Sequence, residues 1–295
     1  MSKKPADQPT KVDTTGHSWD GIEEYNNPLP RWWLWTFYAT IVWGVIYTLL
    51  YPAWPLVERA TGGILGFSTR GQVEEQIATF EAQNSGLETE LASVDLTTLA
   101  DNGDLHNFAI NKGAAVFRNN CSQCHGSGAQ GAEGFPNLLD DDWLWGGAID
   151  EIAYTVTNGI RNEDSFDAHW SEMPAFGRDE ILTDAQIAEV VQYVRQISGQ
   201  DHDSGLAASG EEVFLEQCAA CHMDDGTGDV GLGAPNLTDA IWLYGGDVAT
   251  LTETITNSRF GVMPAWSQDY RSAFGLSESE INAVAAYVHQ LGGGQ

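Results

Sequence analysis

Cys121-Ser122-Gln123-Cys124-His125 and Cys218-Ala219-Ala220-Cys221-His222 use all four cysteines of a 295-residue chain and two of its seven histidines. Two thiols three residues apart lie along one edge of a helical turn, where each can add across one vinyl group of a haem. A histidine directly after the second thiol falls beneath the iron as its proximal ligand. Cys-x-x-Cys pairs also suit zinc ribbons and thioredoxin-like redox sites. Here 93 residues separate the pairs, no further cysteine completes a zinc site, and a histidine follows both pairs. The chemistry these residues point to is the covalent attachment of two haem c groups. Cys121 and Cys124 would hold one and Cys218 and Cys221 the other, with His125 and His222 on the irons.

An iron that shuttles electrons without binding small molecules needs a sixth ligand, and a thioether raises its potential relative to a second imidazole. Of four methionines, Met1 is terminal and Met223 directly follows His222. Met173 and Met263 remain, 48 and 41 residues after their histidines, in the matched contexts Met173-Pro174-Ala175-Phe176 and Met263-Pro264-Ala265-Trp266. A proline after the sulfur stiffens the loop that presents it. The spacing pairs Met173 with His125 and Met263 with His222, with His169 and His202 as weaker alternatives. With six positions filled on each iron and no further His or carboxylate cluster for copper, the chain by itself is expected to carry electrons and not to be catalytic. The Pro136 and Pro235 carbonyls are candidates to accept the Nδ1–H of His125 and His222. Arg161 and Arg259 could pair with haem propionates or serve as surface charge.

The elements that must position these groups occur twice. Gly113 and Phe117 precede the first motif as Gly210 and Phe214 precede the second, and Trp143-Leu144-Trp145-Gly146-Gly147 is answered by Trp242-Leu243-Tyr244-Gly245-Gly246. Each repeat ends in a helix opened by a capping box, Thr183 to Gln186 and Ser277 to Glu280, and stopped by Gly199 or Gly292. Gly113 and Phe117 with Tyr193, and Gly210 and Phe214 with Tyr287, look like the close helix crossing of class I cytochromes c. The expected architecture is all-α: one transmembrane helix followed by two tandem class I cytochrome c domains, 106–200 and 205–295.

Ahead of the repeats, Trp32 to Tyr51 is a 20-residue uncharged run, about 30 Å as a helix, flanked by aromatic residues at both ends. A cleaved signal peptide would have a shorter apolar stretch and a small-residue cleavage site, whereas Pro52-Ala53-Trp54-Pro55 follows here. The expectation is a transmembrane helix at 31–53. Lys3, Lys4, Lys11 and Arg31 precede it, so the positive-inside rule leaves the tail, 1–30, in the cytoplasm and the rest in the periplasm of a bacterium, anchored in the inner membrane. Residues 54–105 read as a periplasmic connector holding one or two amphipathic helices, packed against another subunit or solvated. A formal charge of −29 excludes nucleic acid as a partner and favours a basic protein. A generally acidic surface of the halophilic kind is the competing explanation.

Gly16-His17-Ser18-Trp19-Asp20-Gly21-Ile22-Glu23-Glu24, Asn27-Pro28-Leu29-Pro30-Arg31-Trp32-Trp33, one membrane helix and two haem repeats together resemble the diheme subunit III (CcoP) family of bacterial cbb(3)-type cytochrome c oxidases. The resemblance spans essentially the whole chain and implies a subunit of a proton-pumping terminal oxidase in aerobic respiration. It further implies that a soluble or membrane-tethered donor c-type cytochrome delivers electrons, which pass to the monohaem and catalytic subunits. A free diheme carrier would need neither anchor nor tail, and a diheme peroxidase would need an iron with an open position.

Overall fold

The computed structural model describes residues 13–293, so Lys3, Lys4 and Lys11 lie outside the described residues. The chain forms two compact units that divide between Ala82 and Gln83.

In the first unit, β1 (Thr14–Trp19) and β2 (Ile22–Tyr25) pair antiparallel, with Trp19 opposite Ile22. Asp20 and Gly21 form the turn with φ of 52° and 83°. Both centres are left-handed, as a two-residue hairpin that follows strand twist requires. This small sheet is an addition to the all-α expectation, and the Asp-Gly pair was its signal. α1 (Arg31–Leu50) is long and apolar enough to cross a membrane and buries none of its residues. The chain after it folds back, so that the N–H groups of Ile64 and Leu65 satisfy the Leu49 and Leu50 carbonyls at the helix end. α2 (Thr69–Ser93) is one 25-residue helix whose only buried residue is Leu91.

The second unit begins with the last turns of α2. Leu91 joins Leu96, Leu99, Leu105, Ala283 and Ala286 in a core, so the connector's end packs on the repeats of its own chain. Seven helices follow that position the haem motifs: α3 (Gly103–Val116), α4 (Ser122–His125), α5 (Ile149–Asn158), α6 (Asp184–Ile197), α7 (Ser204–Gln217), α8 (Ala219–His222) and α9 (Val248–Asn257). α10 (Glu278–His289) completes the set. Both expected capping positions are engaged. Thr183 Oγ1 accepts the Gln186 N–H at 3.3 Å, and the Glu280 carboxylate accepts the Ser277 N–H at 2.9 Å.

The helix crossings are exchanged relative to the sequence repeats. α3 packs on α10, and α6 packs on α7. Phe117 meets Tyr287, not Tyr193, with ring centroids 5.6 Å apart, and Phe214 meets Tyr193 at 5.1 Å. Only six residues, 198–203, join α6 to α7. So short a link leaves α7 beside the helix the chain has just left. With α6 so occupied, α3 is covered by the equivalent helix of the second repeat. Glycine makes each crossing close, since a Cβ at Gly113 would drive into the Ala283 carbonyl and one at Gly210 into the Glu189 carbonyl.

Candidate haem sites

Each motif sits at the end of a helix whose buried phenylalanine anchors it. Phe117 opens a π-helical turn, Phe117–Cys121, that runs into α4, and Phe214 lies in the last turn before Cys218. His125 and His222 are oriented alike. Nδ1 of His125 lies 3.0 Å from the Pro136 carbonyl, and Nδ1 of His222 lies 3.1 Å from that of Pro235. Burial holds both imidazoles below their usual range, opposed by these carbonyls. A neutral ring that donates from Nδ1 leaves Nε2 as a lone-pair donor for a metal. Burial, helped by the neighbouring thiols of Cys124 and Cys221, pushes the Cys121 and Cys218 thiols up to about 11. These are enclosed, protonated thiols in apolar walls.

The exchange carries through to the methionines, each of which lies with the motif of the other repeat. A cavity of about 610 Å³ is lined by His222, Cys218, Cys221 and Phe214 and also by Met173, not Met263. Met173 packs on the core that contains Phe214, Val190 and Ile255. Met263 packs on the core that contains Phe117, Val284 and Val156, against which Cys121 also lies. The chain crosses between the two cores in the segments that precede each methionine. Ile160 and Met263 exchange backbone hydrogen bonds of 2.9 and 3.0 Å, and Ser258 Oγ donates to the Met173 carbonyl at 2.6 Å. His169 is engaged elsewhere, stacked on Trp145 at 4.3 Å with Nε2 3.1 Å from Thr155 Oγ1, and His202 is exposed.

Arg161 and Arg259 line the same cavity although they come from different repeats. Arg259 lies 4.9 Å from the Tyr244 ring centre, and its Nε donates to Thr254 Oγ1. Asp140 and Asp142 line the cavity too. The Asp142 carboxyl is raised to about 6 by burial, then by Asp239 and Asp140. The repeats also notch into each other. A Cβ at Gly233 would enter the Trp145 ring, and one at Gly134 would come 3.2 Å from the Tyr244 ring. Trp145 and Tyr244 are equivalent positions, as are Gly134 and Gly233, so this contact is reciprocal. The repeated Trp/Tyr pattern signalled equivalence but not that the two would meet.

The residues fit a haem at the second motif, where the cavity offers largely apolar walls with His222 and Met173 among the lining groups. At the first motif Cys121 and Met263 pack on one core.

Comparison with known proteins identifies the family. Residues 11–58 match the N-terminal domain of cytochrome oxidase-cbb3, FixP; residues 108–194 match cytochrome C oxidase, cbb3-type, subunit III; and residues 207–292 match the cytochrome c family. The chain is 58% identical to the Cbb3-type cytochrome c oxidase subunit CcoP of Cereibacter sphaeroides over 100% of both chains. It is 57% identical to the CcoP subunit of Rhodobacter capsulatus, again over 100% of both. It is 50% identical to the FixP subunit of Azorhizobium caulinodans over 99% of this chain and 97% of that one. Two haem motifs, an apolar N-terminal helix and relatives of this identity over full length lead to one conclusion: the chain belongs to the CcoP/FixP family, the diheme electron-transfer subunits of cbb3-type cytochrome c oxidases.

Proposed function

We propose that Cys121, Cys124, His125 and Met263 hold one haem c, and Cys218, Cys221, His222 and Met173 the other. Through them the chain would relay electrons from a donor c-type cytochrome to the monohaem and catalytic subunits of its oxidase. The observation that carries the ligand assignment is the cavity that brings Met173 to His222. A bound haem c supplies one-electron iron chemistry. The chain's residues fix what that iron can do. Pro136 and Pro235 orient the imidazoles, and Met173 and Met263 would supply the second protein ligands that leave the irons no position for oxygen or other small ligands. The chain alone would then carry electrons without reducing oxygen, anchored by α1 in the inner membrane with its tail cytoplasmic and its haem domains periplasmic.

A chain with Cys121→Ser and Cys124→Ser carries only the haem of the second motif. Adding Met173→Ala should abolish the weak far-red absorption of its ferric iron–sulfur bond, whereas adding Met263→Ala should leave it. The reverse result would restore the pairing by sequence repeat. Stoichiometric carbon monoxide binding by the unmutated, reduced chain would show that a methionine face is open and revive an enzymatic reading.

A further inference from the structure

The two methionine loops are built alike. Trp170-Ser171-Glu172-Met173 matches Phe260-Gly261-Val262-Met263, and each crosses from one repeat to the core of the other. Between them lies one guanidinium. Arg161 Nε donates to the Gly261 carbonyl at 2.7 Å, and its Nη1 donates to the Ser171 carbonyl at 3.1 Å. Those carbonyls occupy the same position in both loops, two residues before the methionine. In the register that sets Asn158 against Asn257, the position that corresponds to Arg161 is Phe260, so a single guanidinium serves both loops.

Arg161 is itself held firmly. Its neighbour Ile160 pairs with Met263, its own N–H donates to the His169 carbonyl at 2.8 Å, and its φ is 49°. A non-glycine residue in that left-handed region persists only where its surroundings over-determine it. The guanidinium lies 5.6 Å from the Phe260 ring centre, and Trp170 meets Phe260 edge-on at 6.0 Å, so the two loops also touch through these rings. Among the described residues no carboxylate lies within ion-pair distance of it. Its charge is spent on backbone carbonyls, which a planar fork bridges in a fixed geometry that a flexible ammonium does not impose.

We infer that Arg161 is a positioning residue that latches both methionine loops at once, so that the sixth ligand of each haem is held in common with that of the other. The inference rests on the ligand assignment proposed above.

Its test is Arg161→Gln in the full-length chain within its oxidase complex. The far-red iron–sulfur band would be read for each haem separately by combining the change with Met173→Ala or with Met263→Ala. With both haems still covalently attached, the expected result is loss of more than half the band at each haem, together with a gain of carbon monoxide binding at each in the reduced state. Arg178→Gln removes the same charge from an exposed side chain with no bond to either methionine loop and should change neither readout. If Arg161 instead served a propionate in the cavity it lines, the His222 haem alone would shift in potential with both bands intact, and the latch would be overturned. Loss confined to one haem would overturn it too. Should the Gln variant fail to accumulate, Arg161→Lys decides. One donor point in place of a fork predicts intermediate bands at both haems, and full bands with no carbon monoxide binding would refute the inference. A parent chain without the two bands would instead refute the ligand assignment.

Discussion

Gly113 and Gly210 set how closely the paired helices approach, and each sits where a neighbour's backbone carbonyl occupies the space of a side chain. Overpacking a well-filled crossing costs about 1–3 kcal/mol. Gly113→Ala should therefore destabilise the α3–α10 pair and Gly210→Ala the α6–α7 pair, each by about that amount, as read from thermal unfolding of the detergent-solubilised chain. Unchanged midpoints would mean that the helices can move apart at no cost. Asp142 offers a second residue-scale prediction. Its folded carboxyl titrates near 6, against the ordinary 3.8. The folded state therefore holds the proton more tightly than the unfolded state, and stability from this group falls as pH rises from about 4 to about 6. Asp142→Asn removes the buried charge. The variant should match the parent near pH 4 and exceed it at pH 7 by on the order of 1 kcal/mol, allowing for solvent screening of a half-exposed group. A gap that is the same at both pH values would point to packing.

At the scale of elements, the haem motifs, the capped terminal helices and the long apolar helix were legible because each is a local pattern with a local cause. The thiol spacing follows a helical turn, Thr183 and Ser277 begin helices, and an uncharged run of 20 residues has no polar face to solvate. The partners of the helices were not legible, because the two repeats carry the same complementary surfaces. Phe117 can accept Tyr193 or Tyr287 equally well by type, and so can Phe214. What breaks the tie is the six-residue link between α6 and α7, a matter of reach and not of residue identity. The same degeneracy hid which core each methionine packs on, since Met173-Pro174-Ala175 and Met263-Pro264-Ala265 are interchangeable as motifs. Arg161 could be read from sequence only as a charge. Its role as a bridge depends on two loops that lie side by side only after the exchange.

On the scale of the whole molecule, the formal charge of −29 makes long-range electrostatics the first thing a donor meets. If the acidic surface steers a basic cytochrome, electron delivery to the intact oxidase should slow as salt rises and the Debye length shrinks from ~10 Å at 0.1 M to ~3 Å at 1 M. A rate that is flat or rising over that range would leave the acidity as a general property of the surface. The exchanged helices also impose an order in time. α6 and α7 are neighbours in sequence and can meet as soon as both exist, whereas α3 must wait for α10. Lys112 on α3 reaches Ser279 on α10 across 167 residues of chain. At ordinary synthesis rates of about 5–20 residues per second, the remaining chain takes roughly 10–30 s to arrive. Although its cysteines are made first, the first motif is the last to close, and that interval is a window in which its thiols remain open to the machinery that loads them.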